Sequence, residues 1–304
     1  MTQLLNALPG ALAQGLIWGV MAIGVYITYK VLDIADLTVD GSICTGAAVC
    51  TMLLLGGQSP WLALLCAVLA GVLAGAVTGL LHVGLGIPPI LAGILTQMVL
   101  WSVNLKLLGK ANQALPARTT PVLLSQMDVG GALPVLLGFC VVLVALLVLF
   151  FGTELGCALR ATGCNPVMSR AQGVNTGLMK VIGLALSNGV VALSGALLCQ
   201  YQGYTDVNMG RGAVVIGLAA VVIGQAVLGR LGGRMAVQLG GVILGAVIYY
   251  IVYQVIIFAG FDTDLLKMFS AVVVAVFLGA PHVKAQLKAH SRSKKGDSGH
   301  AENE

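Results

Sequence analysis

The sequence predicts an all-α polytopic membrane protein with about nine transmembrane segments, eight to ten, in a chain of 304 residues. Three observations carry the prediction. The chain is 58% hydrophobic and only 9% charged, with a mean hydropathy of +0.99, whereas soluble domains carry roughly 25% charged residues. Long stretches carry no Asp, Glu, Lys or Arg at all: 1–29, 41–105, 132–152, 181–205, 212–229 and 235–261. These stretches are apolar throughout, and they lack the roughly ten-residue alternation that a membrane β-barrel would show.

In chain order the segments fall at about 12–30, 42–56, 61–82, 88–105, 133–152, 178–200, 211–228, 235–258 and 264–280. The first lacks a basic n-region and is read as a retained helix, not as a signal peptide. The second is short, and if it dips in and returns, the N-terminus changes sides. Residues 1–281 form a single transmembrane domain, and 282–304 form a basic, Ser/Lys-rich, disordered cytoplasmic tail. The seven cysteines include no CxxC pair and lie mostly inside spans, where cysteine acts as a small hydrophobe.

Lys and Arg set the orientation, because cytoplasmic loops are enriched in them. A cytoplasmic C-terminus puts Lys30, Arg160, Arg170, Lys180, Arg230, Arg234 and five tail residues inside. Lys106, Lys110, Arg118, Arg211 and Lys267 then lie outside or at the outer edge, a ratio of 11 to 5 in favour of this arrangement. The N-terminus falls outside, and 106–131 is a long outer connection.

Two stretches resemble one another. "DGSICTGAAVCTMLLLG" is followed by "AGVLAGAVTGLLHV" (70–83), and "GRGAVVIGLAAVVIGQAVLG" by "GGVILGAVIYYIVY" (240–253). The orientation above runs the two copies in opposite directions, the pattern of an inverted repeat, with a first copy at about 31–109 and a second at about 201–280. Gly71, Gly75 and Gly79, and likewise Gly241 and Gly245, are spaced for close helix contact.

The stretch "DIADLTVDGS" (33–42) brings three aspartates to the edge of an uncharged region. On one reading Asp36 and Thr38 satisfy the loop's backbone groups and Asp40 caps the helix starting at Gly41, at the cytoplasmic side. On a sharper reading "DLTVDG" is the broken-helix start of the first repeat, opposite "DVNMGRG" (206–212) in the second. Asp36, Thr38, Asp40, Gly41, Asp206, Gly210, Arg211 and Gly212 then shape a gate and carry no proton.

"TELGCALRATGCNPVMSRAQGVNTGLMK" (153–180) is the one long polar interruption on the cytoplasmic side. Thr153 and Glu154 suit a helix start, Pro166 a second short helix, and Gly173 with Asn175 the turn into the next span. Ala158, Leu159 and Ala161 form an apolar side with Arg160 beside them. A docking surface and an interfacial helix lying on lipid fit this pattern equally.

This stretch, with "ALSGALLCQYQGYTDVNMGRG" (192–212), resembles the permease subunits of bacterial ABC importers for branched-chain amino acids, ribose and nucleosides. "DLTVDGS" and "ILAGILTQMVLWSVNLKLLGKAN" (90–112) are most similar to a branch associated with tryptophan- and tyrosine-type binding proteins. The resemblance implies the ABC importer permease fold and a coupling helix that sits in a cleft of the ATPase subunit. It assigns that contact to Glu154, Gly156, Ala158, Leu159, Arg160, Ala161 and Gly173, with Arg160 the main polar contact. It also implies an ABC ATPase partner, an external substrate-binding protein, a second permease copy and membrane lipid, with no nucleic acid, in the bacterial inner membrane. An aromatic or branched amino acid is the implied solute.

No G-x-x-x-x-G-K-[ST] phosphate loop is present, and no catalytic set stands out. The expectation is a chain without catalysis, metal or cofactor of its own, with ATP and Mg held by the partner ATPase. The alternative is an ion-coupled secondary transporter. It needs ionisable residues at mid-membrane, but Asp33, Asp36 and Asp40 lie near one span end and Asp206 and Arg211 at the other face, while Asn104, Asn188, Gln97 and Gln254 could still bind a substrate.

Overall fold

The structure is a computed structural model that describes residues 2–116, 120–228 and 233–258, with the isolated residues 272 and 275. Helix α1 (Thr2–Tyr26) continues through a π turn (Ile27–Val31), and α2 (Val39–Leu55) follows a short irregular loop. Then come α3 (Pro60–Gly84), α4 (Pro89–Leu108), strand β1 (Asn112–Ala114) and α5 (Val129–Gly152). Two short helices, α6 (Glu154–Cys164) and α7 (Pro166–Ala171), precede α8 (Thr176–Gln202). Strand β2 (Tyr204–Asp206), α9 (Ala213–Leu228) and α10 (Met235–Phe258) complete the order.

Eight of the nine expected segments coincide with apolar helices, and the ninth, 264–280, lies outside the described residues except for 272 and 275, as do Arg230 and the tail. Among the described residues six helices are long and apolar enough to cross a membrane. The other two, α2 and α9, have 17 and 16 residues, short of the roughly 20 a crossing requires. Both begin in irregular chain.

Helices α1 and α8 form the centre. Of their apolar windows 78% and 72% is buried, against 22% for both α4 and α5, which therefore form the periphery. Helix α8 packs on α2 and α3, and α1 packs on α9 and α10. The central pair is antiparallel: Ser194 Oγ donates to the Ile17 carbonyl at 2.7 Å, and Ser187 Oγ to that of Gly24 at 2.8 Å.

Small residues let these backbones touch. A Cβ on Gly75 would overlap the Leu184 carbonyl, one on Gly46 that of Ala192, one on Gly195 that of Ile43, and one on Gly245 that of Ala220. Dispersion forces drive association in lipid, where burying apolar surface gains little, and they are strongest at such contact.

The long connection after α4 is pinned down. Strand β1 pairs antiparallel with β2, Asn112 opposite Asp206. Leu115 and Leu124 are buried, and the side chain of Gln200 accepts from the Leu123 N–H at 3.0 Å. A buried Thr51–Thr205 hydroxyl pair at 2.6 Å ties the ribbon to the end of α2.

Candidate functional site

The two short helices start beside each other. One carboxylate oxygen of Asp40, in the first turn of α2, accepts from the Gly212 N–H at 2.9 Å. The other accepts from the Val214 N–H at 3.0 Å. Asp40 therefore caps α9 from another helix, and is not the N-cap of its own. The residue before α2 is Thr38, whose side chain makes no cap hydrogen bond. Gly210 lies so close that a Cβ would overlap the Asp40 carbonyl, and its N–H donates to Cys44 Sγ at 3.1 Å. Gly212 has φ +85°, a conformation that favours glycine. Gly41 is buried against Gln97 and Leu100 of α4.

Asp36 holds a second cluster. Its carboxylate accepts from the Thr38 N–H at 2.8 Å and from Asn188 Nδ2 at 2.7 Å. The Asn188 carbonyl oxygen accepts from Ser42 Oγ at 2.6 Å. The hydroxyl of Thr38 meets that of Thr78 at 2.8 Å, and Thr78 donates to Thr96 at 3.0 Å. All of these side chains are buried, and together they join α2, α3, α4 and α8.

The sequence reading needs correcting on depth. Asn188 lies near the middle of the 27-residue α8, about 18 Å from the start of that helix at 1.5 Å per residue. The Asp36 cluster is therefore level with the centre of the bundle and not at its cytoplasmic edge. The chain returns inward after the π turn, which no periodicity signals. For the same reason Arg211 is at the head of α9 and not at an outer edge. Asp206 does not join the meeting point. Its carboxylate accepts from the Asn208 N–H at 2.7 Å and from Asn112 Nδ2 at 3.4 Å, so it closes the ribbon turn.

Two cavities flank Arg211. One of about 620 Å³ lies between α2, α4 and residues 207–211, with Gln97, Trp101 and Asn104 in its wall. The other, about 590 Å³, lies between α1, α9 and α10 and includes Trp18, Tyr250, Tyr253 and Gln254. Trp18 and Tyr250 are in ring contact at 5.8 Å. Among the described residues no group of three or more His, Cys, Asp or Glu is placed to hold a metal ion.

At the far end of the bundle α6 and α7 form a capped pair. Thr153 caps α6, accepting from the Gly156 N–H at 3.3 Å, and Asn165 caps α7, accepting from Val167 and Met168 at 3.1 and 3.0 Å. Gly173 takes φ +85° in the turn before α8. The inward face is Gly156, Leu159 and Thr162, all buried, with Gly156 against Phe150 and Phe151 and Gly163 against Val31. Gly156 and Leu159 thus seat the helix and are not open to a partner. Glu154, Arg160, Ala161 and Gly173 are exposed, and Ala158 is half-buried. Arg160 donates to Cys157 Sγ at 3.2 Å. Leu155, Val167 and Met168 are large exposed apolar residues on the same unit that the sequence reading omitted. Their apolar character outside a span was the available signal.

The chain matches the family described as branched-chain amino acid transport system, permease component, over residues 8–280. It is 37% identical to a tyrosine transport system permease protein of Clostridioides difficile, over 93% of this chain and 94% of that one. It is 33% identical to an uncharacterised protein of Rickettsia prowazekii, over 91% and 98%. Identity to the autoinducer 2 import system permease protein LsrC of Escherichia coli is 30%, over 69% of this chain and 60% of that one. No solved structure matches. This match over nearly the whole chain, in a chain with helices long and apolar enough to cross a membrane, shows the family: the protein belongs to the branched-chain amino acid transport permeases.

Proposed function

We propose that the chain is the membrane-spanning subunit of an ATP-binding-cassette importer that passes a small solute, an aromatic or branched amino acid, across the bacterial inner membrane. The α6–α7 unit carries this reading, because it turns an exposed apolar surface with two arginines, Arg160 and Arg170, away from the bundle. Such a surface suits a cleft on an ATPase that holds ATP and Mg, with Arg160 and the neighbouring Leu155, Val167 and Met168 in contact. Two copies of the chain form the pathway, with an external binding protein delivering the solute. The name of the Clostridioides difficile relative supports an aromatic amino acid.

The pairing of α8 with α2 and α3, against α1 with α9 and α10, supports two inverted halves. Asp36, Thr38, Asp40 and Gly41 on one side, with Gly210, Arg211 and Gly212 on the other, then form the gate between them. The N-terminus faces outward and the C-terminus is cytoplasmic.

The deciding experiment is uptake into liposomes holding the permease, its ATPase and its binding protein, with ATP inside. ATP-dependent uptake is expected. A buried carboxylate at mid-bundle, Asp36, favours an ion-coupled carrier as the second reading. Uptake by the chain alone under an ion gradient would establish that reading and overturn the first.

A further inference from the structure

The cavity between α2, α4 and residues 207–211 combines apolar side chains with a few polar and charged ones. Its volume of about 620 Å³ lies within the roughly 300–1,000 Å³ of small-molecule sites. Most of its wall is apolar: Cys44, Ile94, Met98, Trp101 and Val207. Into this wall come a few polar groups. Asn104 is 1% exposed, and neither its amide nitrogen nor its carbonyl oxygen has a hydrogen-bond partner among the described residues. A buried amide carries two donors and two acceptor lone pairs and is costly to leave unpaired. Among the described residues no other side chain on this wall is buried and unpaired.

The charges are sorted. Asp40 is on the wall, but both of its oxygens are occupied by backbone N–H groups of residues 212 and 214. Arg211 is the one cation of the wall, and no ion pair or hydrogen bond holds its guanidinium among the described residues. A guanidinium presents a planar fork that fits a carboxylate with two parallel hydrogen bonds. Trp101 and Met98 supply an aromatic face and a deformable thioether for an apolar body.

We propose that this cavity binds a solute with a carboxylate and an apolar or aromatic body, the carboxylate on Arg211, the polar head on Asn104 and the body against Trp101. The site rests on the importer reading, since it would hold the solute beside the gate. An anionic lipid phosphate shares the chemistry that Arg211 recognises, and the test separates the two sources.

The permease is purified into phosphatidylcholine nanodiscs and titrated with radiolabelled L-tyrosine, with L-phenylalanine, L-leucine and tyramine as competitors. Saturable L-tyrosine binding is expected, with L-phenylalanine competing. Tyramine, which lacks the carboxylate, should compete at least a hundredfold more weakly. Arg211→Gln and Asn104→Leu should each weaken binding at least tenfold, and Arg211→Lys should fall between. Arg211 is exposed, so its replacement leaves the core intact and stands even where Asn104→Leu fails to fold.

Absence of saturable binding, equal competition by tyramine, or unchanged affinity in Arg211→Gln would each overturn the site. So would loss of L-tyrosine binding when phosphatidylglycerol is added, which would assign Arg211 to lipid. The importer reading fails separately: wild-type protein that binds L-tyrosine through Arg211 but shows no ATP-driven uptake with its partners would sink that reading and leave the site standing.

Discussion

Asp40 and Gly212, 172 residues apart in the chain, are joined by a 2.9 Å hydrogen bond from the backbone N–H of one to the carboxylate of the other. The same carboxylate takes the Val214 N–H, so the start of α9 is capped by a side chain of α2. Asn at this position keeps an acceptor oxygen, whereas Ala removes both. Asp40→Asn should retain most uptake, and Asp40→Ala should lower stability by about 1–2 kcal/mol, the usual cost of losing a helix cap. Thermal unfolding of the detergent-solubilised protein reads the second effect, and liposome uptake the first. Abolished uptake in a well-folded Asp40→Asn would instead make Asp40 a proton carrier.

The Asp36 cluster yields a larger effect. Asn188 donates to Asp36 and to the Leu184 carbonyl and accepts from Ser42. Asn188→Leu leaves a buried carboxylate and a buried hydroxyl each short of a partner. The loss should be about 3 kcal/mol, from a charged hydrogen bond worth roughly 1.5–3 kcal/mol plus a neutral one. Asp36→Asn, which keeps the shape and an acceptor, should cost less. Denaturation midpoints of the two variants side by side test the order.

Glycine substitutions separate close contact from open surface. Gly46→Ala and Gly195→Ala put a methyl into a carbonyl of the facing helix, so both should abolish the monodisperse folded protein on size exclusion. Gly138→Ala meets nothing within 4 Å and should be neutral, or stabilising by up to about 1 kcal/mol through helix propensity.

The α6–α7 unit divides into residues that hold it and residues that face outward. Leu159→Ala should cost about 2–4 kcal/mol as a buried truncation. Arg160→Glu and Met168→Asp, both exposed, should leave unfolding unchanged while reducing co-purification with the ATPase by at least tenfold. Retained ATPase binding in both variants would remove this surface from the interface.

The helices were readable because lipid demands long uncharged runs, and eight expected segments fall on helices with ends within a few residues, save that α1 begins ten residues before the expected start. The helix starts at Thr153 and Pro166 and the turn at Asn175 were readable for a local reason: at each a small polar side chain, of Thr153, Asn165 or Asn175, accepts from N–H groups two or three residues on. The depth of Asp36 and Arg211 was not readable. It depends on chain that turns back into the bundle after α1 and after β2, and on partners more than 150 residues distant. Thr78 and Thr96 were missed because a hydroxyl inside an apolar helix has a local acceptor, here the carbonyls of Ala74 and Ala92, so the pattern alone hides its long-range partner.

The bonds that anchor α2 have a consequence for biosynthesis. Ser42 and Asn188 are 146 residues apart, Thr51 and Thr205 154. At a synthesis rate of roughly 5–20 residues per second, α2 emerges about 7–30 s before its partners on α8 and β2 exist. During that interval Ser42 and Thr51 have no partner from the second half, and the Asp36 carboxylate has only the local Thr38 N–H. The bonds that bury the polar side chains of α2 are therefore completed only once the second half of the chain has been made.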